Sequence, residues 1–277
     1  MSPMSPPDTF DYVLYSDGGG ERMKSAAGGC IVEDTVNGTT QFYAVFLGGA
    51  TNNEAEIMAA LVGFTLLRVR RQTPKTVRWV SDSEYVLKSG STYIHEWRRN
   101  GWRTAARTPV KNQGLWHAFS ALTSDLSLAT LHVRGHSGHP ENEACDEISV
   151  WLQARGEELI ADERDRAVAE GDLRGNTVHW QVIDGREFLA RVRENPLDHG
   201  ALDLLIQQVA SREKAPGTGG LRAAVGKSGE NAEDRSALHP ALEFVRKAKT
   251  TAEQIRPASR TAVSLVDALG RLLKKFE

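Results

Sequence analysis

The chain has 277 residues, 40% hydrophobic and 25% charged, with a formal net charge of -2. That length supports one substantial core and a second small unit. No apolar run approaches a membrane span, and the opening MSPMSPPDTFD has neither the basic nor the apolar segment of a secretory signal, so a cytoplasmic protein is expected. Cys30 and Cys145 stand far apart beside apolar or helical residues, which points to reduced thiols rather than a disulfide framework.

After a Pro/Ser-rich tail over residues 1–9, expected to be disordered, YVLYSDGG reads as a strand of aromatic and branched residues ending at Asp17 and a run of glycines. CIVED and QFYAVFLGG read as two further strands, the pair joined by a turn containing Asn37-Gly38, so an antiparallel meander is expected. In TNNEAEIMAALVGFTLLRVRR, Thr51, Asn52 and Asn53 can cap a helix whose apolar positions Ile57, Leu61, Phe64 and Val69 recur near the helical period, with Glu56 in its first turns. TVRWVSDSEYV is a buried strand stopped at Ser81, Asp82 and Ser83, which repeats at Asp82 the strand-end placing of Asp17.

The passage WRRNGWRTAARTPVKN carries Arg98, Arg99, Arg103, Arg107 and Lys111 around Trp97 and Trp102, with no acid after Glu96: a basic, aromatic protrusion. QGLWHAFSALTSDL reads as a helix and LATLHVRGH as a final strand; Trp79 and Trp116 are read as core. The stretch RGHSGHPENEACDE then brings together His136, His139 and Asp146, glycines around His136, and Pro140 at a first helical position. PENEACDEISVWLQARGEELIADERDRAVAE follows as a long acidic helix or helix pair. This element order indicates an α/β layered domain with a mixed sheet.

Asp17, Glu56, Asp82 and Asp146 each fall at a strand end or a helix start, and oxygen ligands of this kind suit magnesium or manganese. Gathered at one sheet edge, they can hold two ions roughly 4 Å apart, one activating water and one stabilising the leaving oxygen of a phosphodiester. A lone acid at such a place is more often a solvated cap, but four in this arrangement reverse that reading. A zinc reading of His136, His139 and Cys145 lacks a fourth ligand at suitable spacing, and His139 reads as a structural pin for its loop.

The ordered set YSDG, TNNEAEIMAA, SDSEYV, WRRNGWRTAARTPVKN and GHSGHPENEACDE resembles type 1 ribonuclease H over roughly residues 10 to 155. The resemblance implies a mixed five-stranded sheet flanked by helices, and an endonuclease that hydrolyses the RNA strand of RNA/DNA hybrids to 5′-phosphate and 3′-hydroxyl products. It implies that Asp17, Glu56, Asp82 and Asp146 bind magnesium, or manganese, as two ions with substrate present, and that His136 assists proton transfer or product release. It also implies nucleic-acid contacts by Thr51, Asn52 and Asn53 and by the protrusion through Trp97, Arg98, Arg99, Trp102, Arg103 and Lys111. The chain departs from the family at GGGERMKSAAGG after Asp17, at Glu84, and at Tyr93. A catalytically inactive hybrid-binding module and a related DNA-junction nuclease are the alternatives.

The expected organisation is a catalytic domain over 10–156, a helical extension with a short strand over 157–213, a flexible linker over 214–237, and a basic C-terminal helical segment over 238–277. VHWQVIDG is the candidate strand; REFLARVRENP and LDLLIQQVASRE are the candidate helices. The basic end segment is a candidate extra nucleic-acid or protein contact.

Overall fold

The computed structural model describes residues 9–21, 24–70, 76–161, 167–173 and 176–213, with backbone alone at 161, 167–173 and 176–180. The expected linker at 214–237 and the basic segment at 238–277 lie outside the described residues.

Strands β1 (Tyr12–Glu21), β2 (Ser25–Asp34) and β3 (Thr39–Gly48) form the expected antiparallel meander. The second turn is set by Asp34, whose carboxylate accepts hydrogen bonds from the Val36 and Asn37 amides at 3.1 and 2.8 Å, with Gly38 at φ 63° completing it. β4 (Thr76–Ser81) runs parallel to β1 on its free side, and β5 (Ser127–His132) runs parallel to β4.

The five expected strands are therefore present, and two more extend the sheet beyond β3. β7 (Asn176–Asp184) runs parallel to β3, and β6 (Ala167–Leu173) runs antiparallel to β7, giving the order β5-β4-β1-β2-β3-β7-β6. The helical reading of the acidic stretch is corrected at its end. One helix, α5, covers Pro140–Ala161, while Ala167–Leu173 is a strand because its backbone groups pair with β7 across a hairpin.

Helix α1 (Asn52–Val69) opens on a capping box: the Thr51 hydroxyl accepts from the Glu54 amide, and the Glu54 carboxylate accepts from the Thr51 amide at 2.8 Å. Ile57, Leu61, Phe64 and Val69 recur near the helical period as expected, and the helix is buried on nearly every side from Glu54 to Leu67. One side meets β1, β2 and β3; the other meets α4 (Gln113–Thr123) and α7 (His199–Glu213). A helix that is apolar all round needs such a double cover.

Helix α6 (Arg186–Glu194) packs on the same face, and Ile183, Phe188, Leu189, Val192, Ala201, Leu205 and Val209 belong to one continuous core with Leu14, Phe64, Trp79 and Trp116. The other face of the sheet carries α5 over a smaller cluster around Ala27, Phe46, Ile148, Leu152 and Val182. α7 is tied down at its end, where Glu213 accepts from the Tyr43 hydroxyl at 2.5 Å and from Arg70 Nε at 3.1 Å.

Because the extension shares this core, its truncation mutants should act on the whole domain. Phe188→Ala should cost about 3–5 kcal/mol, and denaturant unfolding followed by tryptophan fluorescence and by circular dichroism should show one coincident transition rather than two.

Candidate active site

Two glycines decide where the acids meet. A Cβ on Gly18 would lie 2.4 Å from the Ala55 carbonyl carbon and 2.6 Å from the Glu56 amide nitrogen, so only glycine lets α1 cross β1 this closely. Gly29 stands opposite Asp17 in the β1–β2 register, and a Cβ there would lie 2.6 Å from the Cys145 carbonyl oxygen. The first glycine brings Glu56 against the strand from one face; the second brings Asp146 over Asp17 from the other. The parallel register Tyr15 to Val80 carries Asp17 and Asp82, each two residues further on, to the same sheet end.

The charges of the other three acids act on Asp17, and that of Asp82 acts also on Glu56 and Asp146. Asp17 is pushed up from 3.8 to about 8, chiefly by burial and then by the charges of Asp82, Asp146 and Glu56, although the Gly18 amide donates to its Oδ1 at 2.7 Å. Burial raises Glu56 above the usual carboxylate range, Asp82 adds to this, and a hydrogen bond from the Ser83 hydroxyl at 2.7 Å opposes it. Asn52 Nδ2 donates to the other Glu56 oxygen at 3.0 Å. Asp146 is raised by burial, opposed by His136. Among the described residues no lysine or arginine pairs with any of the four.

His136 sits in the loop before α5 at φ 51°, its side chain 78% exposed, with Nδ1 3.8 Å from Asp146 Oδ2. The same loop passes Asp82: a Cβ on Gly135 would lie 2.6 Å from Asp82 Oδ2, and His132 Nε2 is 3.0 Å from the Asp82 carbonyl. The loop is anchored to α5 by the Gly138 amide, which donates to Glu143 at 2.8 Å. His139 Nδ1 lies 3.2 Å from Glu141 Oε2, and its ring centroid is 5.9 Å from that of Tyr15.

The donor set fits a divalent cation, since it is all oxygen and holds more negative charge than any neighbouring side chain neutralises. Among the described residues no three or more His, Cys, Asp or Glu side chains are arranged as a group that could hold a metal ion. The charges of Asp82, Asp146 and Glu56 each raise the proton affinity of Asp17.

The basic passage follows α2 (Glu84–Lys88), a π-helical turn (Ser89–Tyr93) and α3 (Ile94–Arg99). Arg98, Arg99, Arg103 and Lys111 are exposed, and an open groove is lined by His95, Arg98 and Arg99. Trp97 and Trp102 are half-buried: Trp97 packs on Trp116 with ring centroids 5.9 Å apart, and Trp102 lies on His117 at 3.8 Å. Thr51, Asn52 and Asn53 are exposed at the start of α1. Sequence reasoning missed Ser83 as the residue that orients Glu56, although its place directly after Asp82 is the available signal.

A mixed sheet with acids gathered at one end of two parallel strands defines an α/β protein with an acidic site. A protein-family model for RNase H matches residues 10–151. The ribonuclease H of Aeromonas hydrophila subsp. hydrophila is 44% identical over 112 residues, covering 40% of this chain and 70% of that protein. The ribonuclease H of Oleidesulfovibrio alaskensis is 45% identical over 109 residues, covering 39% and 68%. The crystal structure of LC9-RNase H1, a type 1 RNase H with the type 2 active-site motif, aligns at 22% identity and a TM-score of 0.46 over 54% of this chain and 75% of that one. The chain belongs to the RNase H family and is a ribonuclease.

Asp17 carries a pH signature in the metal-free protein. A carboxyl whose folded pKa of about 8 exceeds its ordinary 3.8 binds its proton more tightly in the fold, so stability should fall as pH rises from 3.8 towards 8 and level off above that. Asp17→Asn should raise metal-free stability at neutral and higher pH by roughly 1–3 kcal/mol and flatten the pH dependence, as measured by thermal unfolding in EDTA from pH 5 to 9.

Proposed function

We propose that this ribonuclease hydrolyses the RNA strand of RNA/DNA hybrids endonucleolytically, leaving 5′-phosphate and 3′-hydroxyl ends. The observation that carries this reading is the unneutralised group of Asp17, Glu56, Asp82 and Asp146 beside the exposed His136. The four carboxylates would hold magnesium, as two ions with substrate bound, and this would supply an activated water and charge stabilisation for the leaving oxygen. The chain's own groups do the rest. Ser83 and Asn52 hold both oxygens of Glu56 in place, so that its orientation does not depend on the ion. His136, unobstructed and next to Asp146, moves a proton at the leaving oxygen and then helps release the product.

Binding is assigned to two surfaces. Thr51, Asn52 and Asn53 contact the phosphodiester backbone beside the site, and Arg98, Arg99, Arg103 and Lys111 grip the DNA strand through phosphate contacts. Trp97 and Trp102 shape that surface, with their half-buried rings giving the arginines a stiff base. Selectivity for a hybrid follows from groove shape and 2′-hydroxyl contacts rather than base sequence. A cytoplasmic setting is supported by two thiols, Cys30 and Cys145, that are free and buried; no described helix is long and apolar enough to cross a membrane.

The deciding experiment incubates the full chain with labelled RNA/DNA hybrid, duplex DNA and branched DNA. Magnesium-dependent cutting of the hybrid's RNA strand is expected, with Asp17→Asn and Asp82→Asn each lowering kcat by about 10³-fold or more and His136→Ala by about 10- to 100-fold. Cutting confined to branched DNA, or hybrid binding without turnover, would sink the proposal. Arg98→Ala and Arg99→Ala should instead raise KM and each reduce the salt slope of binding by about one.

A further inference from the structure

The family match ends at residue 151, yet a side chain from well beyond it reaches the start of the site-bearing helix. Arg193, in the last turn of α6, donates through Nε to Glu54 Oε1 at 2.8 Å and through Nη2 to Glu54 Oε2 at 2.7 Å. Its Nη1 and Nη2 also lie 3.3 Å from the Gly49 carbonyl, just past the end of β3. Glu54 is 6% exposed, and its Oε2 simultaneously accepts from the Thr51 amide and hydroxyl at 2.8 Å each. Burial raises the Glu54 pKa, but the Arg193 and Thr51 hydrogen bonds outweigh it and hold the carboxyl below its usual range.

A capping box by itself fixes the first turn of a helix only relative to its own backbone. The planar guanidinium does something else: it ties that turn to the end of β3 and to α6, which is itself seated in the core through Phe188, Leu189 and Val192. The turn so held carries Asn52 and Asn53, and Glu56 follows Glu54 by two residues, bonded to Asn52 across one turn. We propose that Arg193 is a positioning residue for the nuclease site, through which the extension after residue 151 sets the pose of Asn52, Asn53 and Glu56; this rests on the function proposed above. Among the described residues its hydrogen bonds go to Glu54 and Gly49 and to none of Asp17, Glu56, Asp82 and Asp146. A shift of the helix start by a fraction of an ångström, on release of the clamp, would move the Glu56 carboxylate and the backbone-contacting asparagines together.

The test uses the full chain as wild type, Arg193→Met, Arg193→Lys and, as a control on the same helix, Arg191→Met. Arg191 makes comparable ion pairs, to Asp198 at 2.8 Å and Glu187 at 3.9 Å, but none to α1. Three quantities are read for each: thermal midpoint, hybrid Kd in EDTA, and kcat and KM with magnesium at a temperature well below every midpoint. Arg193→Met should lower kcat about tenfold and weaken metal-free hybrid binding about threefold, with Arg193→Lys recovering part of both and Arg191→Met within about twofold of wild type.

A lowered midpoint with kcat and Kd unchanged, or an Arg191→Met that matches Arg193→Met, overturns the inference. Should the methionine variant fail to fold, the lysine variant decides: a reduced kcat supports the clamp and a wild-type kcat overturns it. A wild type that cuts no hybrid removes the functional reading and this inference with it, whereas an active wild type with an unaltered Arg193→Met removes the clamp alone.

Discussion

Like-charge repulsion at the end of β1 is the constraint that the surrounding structure has to hold. Asp17 faces three other carboxylates and no compensating lysine or arginine among the described residues, so the fold supplies the force that keeps them together. It does so with packing on both sides. Beneath Asp17, Ser16 is buried and accepts a hydrogen bond from Trp79 Nε1 at 2.8 Å, and Trp79 is fully buried between Phe64 and Phe119 at centroid distances of 5.6 and 5.3 Å. Aromatic contacts of this kind, with the apolar area they bury, are worth several kcal/mol together on the order expected for such clusters. The glycines at 18 and 29 then let two helices close on the strand, so the acids are placed by backbone approach rather than by long, adjustable side chains.

Much of this was legible locally. Strand β1 alternates aromatic and branched residues before its acid, the α1 cap carries Thr51 with Glu54 three residues on, and each proposed ligand lies at an element boundary where its neighbours in sequence already imply a turn. What escaped was whatever needs a partner far along the chain. The second apolar side of α1 has no meaning until α7 covers it, more than a hundred residues later. Glu54 and Arg193 are separated by 139 positions, and each taken alone is an ordinary charge on a helix. The stretch Ala167–Leu173 is rich in small and acidic residues that are compatible with a helix; only its pairing with β7 makes it a strand.

The protrusion shows a second division of labour that composition conceals. Tryptophans interleaved with arginines suggest stacking together with phosphate contact, yet Trp97 joins Trp116, Tyr93 and the core cluster, and Trp102 covers His117. A ring half-buried against other rings loses little rotamer freedom when a ligand arrives, because that freedom is already gone. The exposed arginines stand beside these packed rings, and under the proposed function that would lower the ordering cost of each phosphate contact. The loop's left-handed residues, Trp102 at φ 59°, Arg107 at φ 61° and Asn112 at φ 55°, fit the same picture of a chain bent to seat its rings, as does the small bridge between Arg103 and Pro109.

A net charge of -2 averages over two opposed fields that the fold keeps apart. Acids collect at the ends of β1 and β4, while the protrusion after α3 exposes Arg98, Arg99, Arg103 and Lys111. Under the proposed function this separation has a direct consequence for the order of events. A duplex is drawn first to the arginines, at a distance from the carboxylates, because phosphate cannot approach unneutralised acids without a large electrostatic penalty. Divalent cations held by the four carboxylates would reverse the sign of the field there and so would let a phosphate approach. Under the same proposal affinity and chemistry fall on different elements, and α1, held at its start by its cap and by α6, links the asparagines proposed to contact the nucleic-acid backbone with the acid that follows them.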